Sequence, residues 1–282
     1  MAELTPQDMA AKLLASGFER NCPSVAALSD PGQKRETNED AYLAEGPVFV
    51  VADGMGGYEA GDRASAAVVE AFRARFAGVT VGEFAGVSDA LLDADDRVAA
   101  VAGQTTRGAG STATGVVLVS HEGHPFWLVF NVGDSRVYKQ SGAALEQLTT
   151  DHSLGRELVL RGELREDELA TFPNRNVITR AIGASDSLAD SWLVPVVDGD
   201  RLMLCSDGLH GELDDESIRA ILTMNGQPEA AARVLIERAN ASGGRDNITV
   251  IVIDVVSGGG AVAGDDTTSG RFAPVEDTIP VR

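Results

Sequence analysis

The sequence predicts an α+β fold in which antiparallel sheets are stacked on each other and helices lie outside them. Strand-like segments are clumped together instead of alternating regularly with helices, which disfavours a doubly wound parallel sheet. Several of these segments are apolar without alternation, so both of their faces should be covered. At 282 residues, the chain is long enough for one large domain. A domain with a single sheet is the alternative that these observations leave open.

The first predicted elements are a hairpin and two helices. YLAEGPVFVVAD, residues 42–53, contains two extended segments around a Gly-Pro turn. From Ala60 to Phe76 apolar residues recur at helical spacing, and a second series with that spacing runs from Val87 to Val101. The periodicity therefore predicts two successive helices after the hairpin.

The remaining elements alternate between groups of strands and groups of helices. The next strand-like segments are STATGVVLVS, PFWLVFNVGDS, RVYKQ and ALEQLT, whose short connections suit an antiparallel meander. Residues 153–170 are charged with a helical pattern, and TFPNRN is a predicted break. The last predicted elements are strands at SWLVPVV and RLMLCS, helices near 214–224 and 228–240, and a strand at NITVIVIDVV.

The composition limits the partners of this chain. Lys and Arg total 23 against 43 Asp and Glu, a formal net charge of −20, which disfavours nucleic acid and anionic membranes as partners. Either acidic solubility or carboxylates gathered for a metal would produce this excess. The two cysteines, Cys22 and Cys205, indicate neither a disulfide framework nor a cysteine-based zinc site.

The N-terminal sequence pattern does not predict a secretory signal. The first residues lack a basic start followed by an apolar core, and no stretch approaches a membrane span. We expect a cytoplasmic monomer with a lead-in over residues 1–20, one domain over residues 21–256 and a flexible acidic tail over residues 257–282.

Carboxylates recur where apolar runs end. Asp53, Asp134 and Asp207 each end such a run before a small residue, and Asp246 directly precedes the last predicted strand. Each alone could stabilise a turn, or in the case of Asp207 cap the helix near 214. Four carboxylates that converge would repel one another unless a cation joined them.

The chemistry of these ligands indicates which cation. Oxygen-only sites suit Mg²⁺ or Mn²⁺, whereas zinc usually recruits His or Cys, and the four histidines are scattered. Hard divalent cations act on oxygen-rich substrates, above all phosphate esters. Arg35 is the candidate phosphate ligand because guanidinium matches phosphate geometry, although an Arg beside acidic residues is often a plain surface charge.

An ordered set of motifs carries a family resemblance. The segments are RETNEDAY, VVADGMGGYEAGDRAS, GSTATGVVL, NVGDSRVY, LTTDHSL, NVITRAIG, LCSDGL and GGRDNITV. From about Ser24 to Val255 the sequence resembles the metal-dependent protein serine/threonine phosphatases, the protein phosphatase 2C family, in its compact bacterial form. The resemblance implies two stacked antiparallel β-sheets flanked by α-helices, with a dinuclear metal site at one edge.

The resemblance also implies the ligands of two Mn²⁺ or Mg²⁺ ions. Asp53 looks like the carboxylate that bridges them, with the carbonyl of Gly54 on one ion. Asp207 and Asp246 resemble the carboxylates of the other ion. In VVADGMGG, Gly54, Gly56 and Gly57 are interpreted as allowing the backbone to approach, because a Cβ there would crowd the metals or the phosphate.

Other positions match supporting roles in this family. Glu39 and Asp40 match the acidic pair that holds metal-bound water, and Arg35 matches the phosphate-binding arginine. Asn247 is expected to orient Asp246 or a nearby water. Asp134 resembles a ligand of a third ion in bacterial members, although a turn-stabilising Asp would be written identically.

The implied reaction is hydrolysis of phosphoserine and phosphothreonine in proteins by a metal-activated water. The expected partners are phosphoproteins made by a cognate serine/threonine kinase. Ser111 and Ser206 are interpreted as structural, because this reaction needs no covalent nucleophile. A scaffold without activity and a small-molecule phosphoesterase are the alternatives.

Two further features follow from the family pattern. Many eukaryotic relatives have a histidine as proton donor where this chain has Met55, which has no proton to donate. A metal-bound water is one alternative donor, and His152 is a weak candidate. The segment over residues 153–173 matches the mobile flap of bacterial relatives, and an ordinary solvated helical hairpin would fit its sequence equally well.

Overall fold

The structure of the protein, a computed structural model, describes residues 24–56, 60–106, 108–169 and 171–256. The predicted lead-in over residues 1–20 and the predicted tail over residues 257–282 lie outside the described residues, as do Cys22 and Gly57. None of the helices in the described ranges has the length and hydropathy needed to cross a membrane.

The described residues form eleven strands and seven helices. The strands are β1 (Ser24–Asp30), β2 (Asp40–Glu45), β3 (Val48–Met55), β4 (Gly110–Ser111), β5 (Ala113–His121), β6 (His124–Val132), β7 (Arg136–Ser141), β8 (Ala144–Gln147), β9 (Asp190–Pro195), β10 (Arg201–Cys205) and β11 (Ile248–Asp254). The helices are α1 (Gly61–Phe76), α2 (Phe84–Ala102), α3 (Leu154–Leu160), α4 (Glu166–Leu169), α5 (Asp207–His210), α6 (Asp215–Met224) and α7 (Pro228–Ser242).

The strands form two antiparallel sheets. One sheet has the order β1-β11-β10-β7-β8, and the other has the order β2-β3-β5-β6-β9 with β4 paired to β3. The sheets stack face to face, since apolar side chains from both form one buried cluster. This arrangement confirms the predicted sandwich and excludes the single-sheet alternative.

Strand β3 shows why its sequence is apolar without alternation. Phe49 and Val51 belong to the cluster between the sheets, whereas Val50 and Ala52 belong to the cluster that includes the buried faces of α1 and α2. Because successive side chains of a strand point to opposite faces, a strand in the middle layer must be apolar at every position. Burying each of the larger side chains contributes about 1.5–3 kcal/mol.

The outer layers are helical. Helices α1 and α2 cover the β2–β9 sheet, and α6 and α7 cover the other sheet with a cluster that includes Leu222 and Leu235. The predicted helix near 214–224 begins after Asp214, whose carboxylate accepts a hydrogen bond from the Ser217 amide. Asp214 and not Asp207 is therefore the cap of this helix.

The predicted meander is divided between the two sheets. Strands β5 and β6 form a hairpin in one sheet, and β7 and β8 form a hairpin in the other. The chain crosses between the sheets at residues 133–135, where Gly133 has a φ of 109°, a conformation that favours glycine. The crossing places Asp134 at an edge of the sandwich.

Strand β1 was not predicted from the sequence. It pairs antiparallel with β11 along its whole length, from Ser24 opposite Asp254 to Asp30 opposite Ile248. Its sequence, SVAALSD, is short and only weakly alternating. Pairing with a strongly apolar neighbour, rather than its own pattern, makes this segment a strand.

Candidate metal centre

Two carboxylates lie opposite each other where β2 begins and β3 ends. Asp40 of β2 is the register partner of Asp53 of β3. Asp53 shares the face of Phe49 and Val51 by strand alternation, so its carboxylate is at the end of the layer between the sheets. Like charges directly opposite in a strand pair destabilise it. The pair therefore requires a proton or a cation.

The other sheet brings two more carboxylates to this edge. Strands β10 and β11 are antiparallel neighbours, with Cys205 opposite Val250. Asp207 follows the end of β10 as the first residue of α5, and Asp246 precedes the start of β11. Because the end of one strand adjoins the start of the other, the two carboxylates share one edge.

The charges of these four carboxylates and of Asp134 act on one another. Burial is the largest cause that raises the pKa of Asp53, and the charges of Asp40, Asp207, Asp134 and Asp246 raise it further. Burial likewise raises the pKa of Asp40 to about 7 and that of Asp207 to about 6. Burial and the charge of Asp207 raise the pKa of Asp134 well above its usual range. The protein alone does not satisfy these charges.

The residues present fit a divalent cation. The Oδ1 atoms of Asp40, Asp134 and Asp207 are buried and have no hydrogen-bond partner among the described residues, so each has ligand capacity to spare. All the donors are oxygens, as Mg²⁺ and Mn²⁺ prefer. Within the described ranges, no three His, Cys, Asp or Glu side chains already surround a common point.

Gly54 allows a close approach between two segments of the backbone. A Cβ on Gly54 would lie 2.0 Å from the carbonyl oxygen of Gly61 and 2.6 Å from that of Glu39. A Cβ at this position would therefore clash with the protein backbone, and the interpretation that it would also crowd metals or phosphate stays a prediction. The glycine lets the end of β3 pack against the first turn of α1.

The acidic pair of the RETNEDAY motif separates into two environments. The Asp40 carboxylate accepts hydrogen bonds from the hydroxyls of Ser206 and Thr249, each at 2.7 Å. Glu39 lies against α1, since a Cβ on Gly61 would be 2.6 Å from its Oε1. Asp40 is thus fixed by the opposite sheet, while Glu39 is held beside the helix.

Arg35 extends over the carboxylate cluster. Its Nη2 donates to Asp246 Oδ2 at 2.7 Å, and its side chain is 49% exposed. That hydrogen bond, together with the charges of Asp246, Glu39 and Asp53, raises the pKa of Arg35 above its usual value. Because the Arg35 guanidinium is half-exposed and adjacent to the cluster, it is accessible to a ligand that enters from solvent.

Asn247 supports the cluster in two ways. Its backbone amide donates to Asp246 Oδ1 at 2.9 Å, and the expectation that it orients Asp246 stays a prediction. Its side chain also donates to the carbonyls of Pro31 and Thr37 and accepts from the Glu39 amide. Asn247 therefore fixes the loop over residues 31–39 that carries Arg35.

The two serines that were interpreted as structural make internal hydrogen bonds. Ser111 Oγ shares its one proton between the carbonyls of Asp53 and Thr112, and Ser206 Oγ donates to Asp40. Sequence reasoning missed Thr249 as a partner of Asp40, and Thr112, whose hydroxyl accepts from the Asp53 amide. The signal for Thr249 was a polar residue directly before the apolar run of four residues in β11.

Comparison with known proteins identifies the family of this site. Residues 33–235 match the family described as protein phosphatase 2C. The chain belongs to the protein phosphatase 2C family. The serine/threonine phosphatase stp of Listeria monocytogenes is 32% identical over 239 residues, which cover 80% of this chain and 93% of the relative. PstP of Mycobacterium tuberculosis, a serine/threonine protein phosphatase, is 35% identical over 89% of this chain and 51% of the relative.

Solved structures of phosphatases agree with the fold. The PPM Ser-Thr phosphatase MsPP from Mycobacterium smegmatis, in complex with cacodylate, is 37% identical with a TM-score of 0.75 and covers 82% of this chain and 98% of its own. A PstP catalytic domain in complex with two manganese ions is 31% identical with a TM-score of 0.75, over 83% of this chain and 99% of its own. The protein is therefore a serine/threonine protein phosphatase of the metal-dependent class, and its substrates are phosphoproteins.

The position of His152 argues against the weak role predicted for it as proton donor in this phosphatase. Its side chain is 5% exposed. Its Nδ1 accepts a hydrogen bond from the Gly133 amide, and its Nε2 lies 3.2 Å from the Asp190 carboxylate. Because an amide can only donate, Nε2 carries the proton and donates to Asp190. Both ring nitrogens are thus occupied inside the protein.

The segment predicted as a flap consists of α3, α4 and the turns around them. It is held by several exposed ion pairs, including Arg156 with Glu166 and Arg165 with Asp167, and Leu160 is 68% exposed. A groove beside its end is lined by Phe172, Asn174, Arg175, Asn176 and Val177. The segment's part in substrate gating stays a prediction.

Proposed function

We propose that this phosphatase hydrolyses phosphoserine and phosphothreonine esters at the edge of the sandwich where the carboxylates converge. The observation that carries the proposal is the set of buried Oδ1 atoms on Asp40, Asp134 and Asp207, which have no hydrogen-bond partner in the part of the chain that the structure describes. Such atoms are costly unless a ligand satisfies them. The match to the phosphatase family indicates that the substrate is a phosphate ester. The half-exposed Arg35 is positioned to bind its phosphoryl group at the same site.

Two Mn²⁺ or Mg²⁺ ions are the proposed cofactors, in keeping with the two manganese ions of the PstP structure. Asp53 and the carbonyl of Gly54 would hold one ion, and Asp53, Asp207 and Asp246 the other. When bound, such ions lower the pKa of a coordinated water and offset charge that develops on the phosphoryl group. A third, weaker ion is proposed at Asp134 and Asp207.

The protein groups position the substrate and the ions. Arg35 is proposed to exchange its hydrogen bond with Asp246 for paired hydrogen bonds to phosphoryl oxygens, because both carboxylate and phosphate match the guanidinium. Glu39 and Asp40 are proposed to accept hydrogen bonds from waters at the edge. Asn247 positions Arg35 next to the carboxylate cluster by holding the loop over residues 31–39.

The substrates are proposed to be products of a cognate serine/threonine kinase, acted on by a cytoplasmic monomer. A silent scaffold would be expected to have lost some of the charged residues at this edge, yet all of them are present. A small-molecule phosphoesterase would hydrolyse nucleotides at least as well as phosphopeptides. Relative rates on these two substrates separate these functions.

The test measures phosphate release from a phosphothreonine peptide with and without Mn²⁺. Wild type is compared with Asp207→Asn and Asp246→Asn, and with Asp93→Asn as a matched control on the exposed surface of α2. We expect metal-dependent release by wild type and the control, and its loss in the other two variants. A well-folded wild type that is inactive with saturating Mn²⁺ or Mg²⁺ would refute the proposal.

A further inference from the structure

The turn between β6 and β7 contains a carboxylate whose role the sequence left open. Asp134 is 5% exposed, and its Oδ1 has no hydrogen-bond partner in the described part of the chain. An Asp that stabilises a turn needs only one carboxylate oxygen to accept from a nearby amide. The remaining buried Oδ1 is costly without a partner, so it indicates a ligand that comes from outside the protein.

His210 holds this turn from the side of α5. Its Nε2 lies 3.0 Å from the carbonyl oxygen of Asp134, and because a carbonyl can only accept, Nε2 is the donor. Asp207 and His210 are the first and last residues of the single turn of α5, and residues three apart lie on one helix face. The same helical turn therefore presents a carboxylate and an imidazole to Asp134.

His152 holds the turn at Gly133, the residue before Asp134. Its backbone amide donates to the Gly133 carbonyl at 2.8 Å, and its Nδ1 accepts from the Gly133 amide at 3.2 Å. Asp190, which also pairs with Arg180, accepts from Nε2 and fixes the ring. Both backbone groups of the residue before Asp134 are thus bound to one histidine.

The turn has little freedom to rotate away from these contacts. Gly133 has a φ of 109°, and a Cβ there would lie 2.5 Å from the Thr112 side chain. On the other flank, Ser135 Oγ is hydrogen-bonded to Thr112 Oγ1 at 2.9 Å, and that same hydroxyl accepts from the Asp53 amide. The backbone of the turn is therefore fixed relative to β3.

We propose that His210 and His152 are positioning residues, a histidine clasp that holds the Gly133–Asp134 backbone so that the Asp134 carboxylate stays directed at Asp207 to bind a divalent cation. The inference rests on the proposed carboxylate centre. It assigns a task to two histidines outside the ligand set. Neither imidazole touches the substrate or an ion in this proposal.

The first experiment uses Mn²⁺ titration calorimetry on metal-free full-length protein. Wild type is compared with Asp134→Ala, His210→Phe and His210→Gln. Phe removes the donor but keeps a planar ring, whereas the Gln side-chain amide can again donate to the Asp134 carbonyl. His124→Phe, at an exposed position in the β5–β6 hairpin, is the matched control.

If the histidine clasp acts as proposed, calorimetry should detect a weak class of Mn²⁺ sites in wild type that Asp134→Ala lacks. His210→Phe should weaken that class about tenfold or more, as loss of a hydrogen bond to a ligand residue commonly does, while His210→Gln and His124→Phe retain it. The proposal is overturned if His210→Phe binds this class as wild type does, or if Gln is no better than Phe. It is also overturned if Asp134→Ala removes no class of sites.

If His210→Phe does not fold, a second pair of variants at His152 tests the same proposal. His152→Asn retains an acceptor for the Gly133 amide and His152→Leu does not, so the weak class should survive in the first and weaken in the second. Hydrogen exchange of the Gly133 amide in metal-free protein should accelerate in His152→Leu alone. Equal weak-class affinity in both variants would contradict the clasp. If the proposed function were wrong, wild type itself would show no tight Mn²⁺ sites and no phosphatase activity.

Discussion

At one end of β10 and β11, Arg201 and Asp254 lie opposite each other in the strand register and form an ion pair. Arg201 is 8% exposed. Its Nε and Nη2 donate to Asp254, and the remaining donors reach the carbonyls of Leu222, Asn225 and Gly226. Every N–H group of this guanidinium has an acceptor, so the buried charge is fully satisfied.

At the other end of the same two strands, the charges are left unsatisfied. Asp207 and Asp246 adjoin Asp53, and burial with like charges raises the pKa of Asp53 and Asp207. Arg35 pairs with one member of this group and remains half-exposed. The contrast shows that the fold satisfies charge where it needs stability and leaves carboxylates available where a ligand is expected.

The largest effect that would sharpen this comparison is on catalysis. Asp246→Asn removes a proposed metal ligand and the partner of Arg35, so we expect kcat to fall by at least about 100-fold with little change in the free energy of unfolding. Phosphate release and urea denaturation check the two parts. An Asp246→Asn variant with the activity of wild type would show that the unsatisfied carboxylate end is not needed for catalysis.

The next effect is on stability, at the opposite end. Arg201→Met leaves Asp254 and three carbonyls without their donors, so the free energy of unfolding should fall by about 3 kcal/mol, while the folded fraction retains its phosphatase activity. Urea unfolding measures the loss. The double variant with Asp254→Leu should recover much of it; a stable Arg201→Met would show that this ion pair contributes little.

A smaller effect is expected at the loop over residues 31–39, which carries Arg35 to the carboxylate end. Asn247→Ala removes three side-chain hydrogen bonds to the segment over residues 31–39, so kcat/KM should fall about tenfold through a looser Arg35. Steady-state kinetics with a phosphopeptide measure it, and weaker inhibition by inorganic phosphate should accompany it. Unchanged phosphate inhibition would separate Asn247 from Arg35.

The smallest effect is expected at Met55. The thioether has no proton to donate, and Met→Leu conserves volume at a cost below about 1.5 kcal/mol, so Met55→Leu should retain the activity of wild type. The rate at several pH values checks this. A large loss in kcat would mean that Met55 has a role that its chemistry does not suggest.

Much of the architecture could be predicted from the sequence because the middle-layer strands carry a strong signal. Strands such as β3 and β11 are apolar on both faces, and α1 and α2 show helical spacing. The sequence could not indicate β1, whose strand state depends on pairing with β11. Nor could it show that the chain changes sheets at Gly133, since hairpin patterns do not specify which sheet they join.

The candidate site was predictable as a set of residue types but not as a set of contacts. Asp53, Asp134 and Asp207 stand out because each follows an apolar run. The contacts that hold them are remote in sequence: Asn247 binds Thr37 across 210 positions, and Thr249 binds Asp40 across 209. Such pairings follow from sheet stacking, which the local pattern does not encode.

The central claim is that the carboxylate edge lacks only a cation, and thermal unfolding with and without Mn²⁺ tests it most directly. Wild type is compared with Asp53→Asn, which keeps the side-chain shape but removes the charge at the centre of the cluster. We predict that metal-free Asp53→Asn is at least as stable as metal-free wild type, because a repulsive charge is gone. Mn²⁺ at 100 times its dissociation constant should stabilise wild type by about 2.7 kcal/mol and Asp53→Asn far less. Equal stabilisation of both proteins by Mn²⁺, or a metal-free Asp53→Asn that is clearly less stable than wild type, would contradict the account.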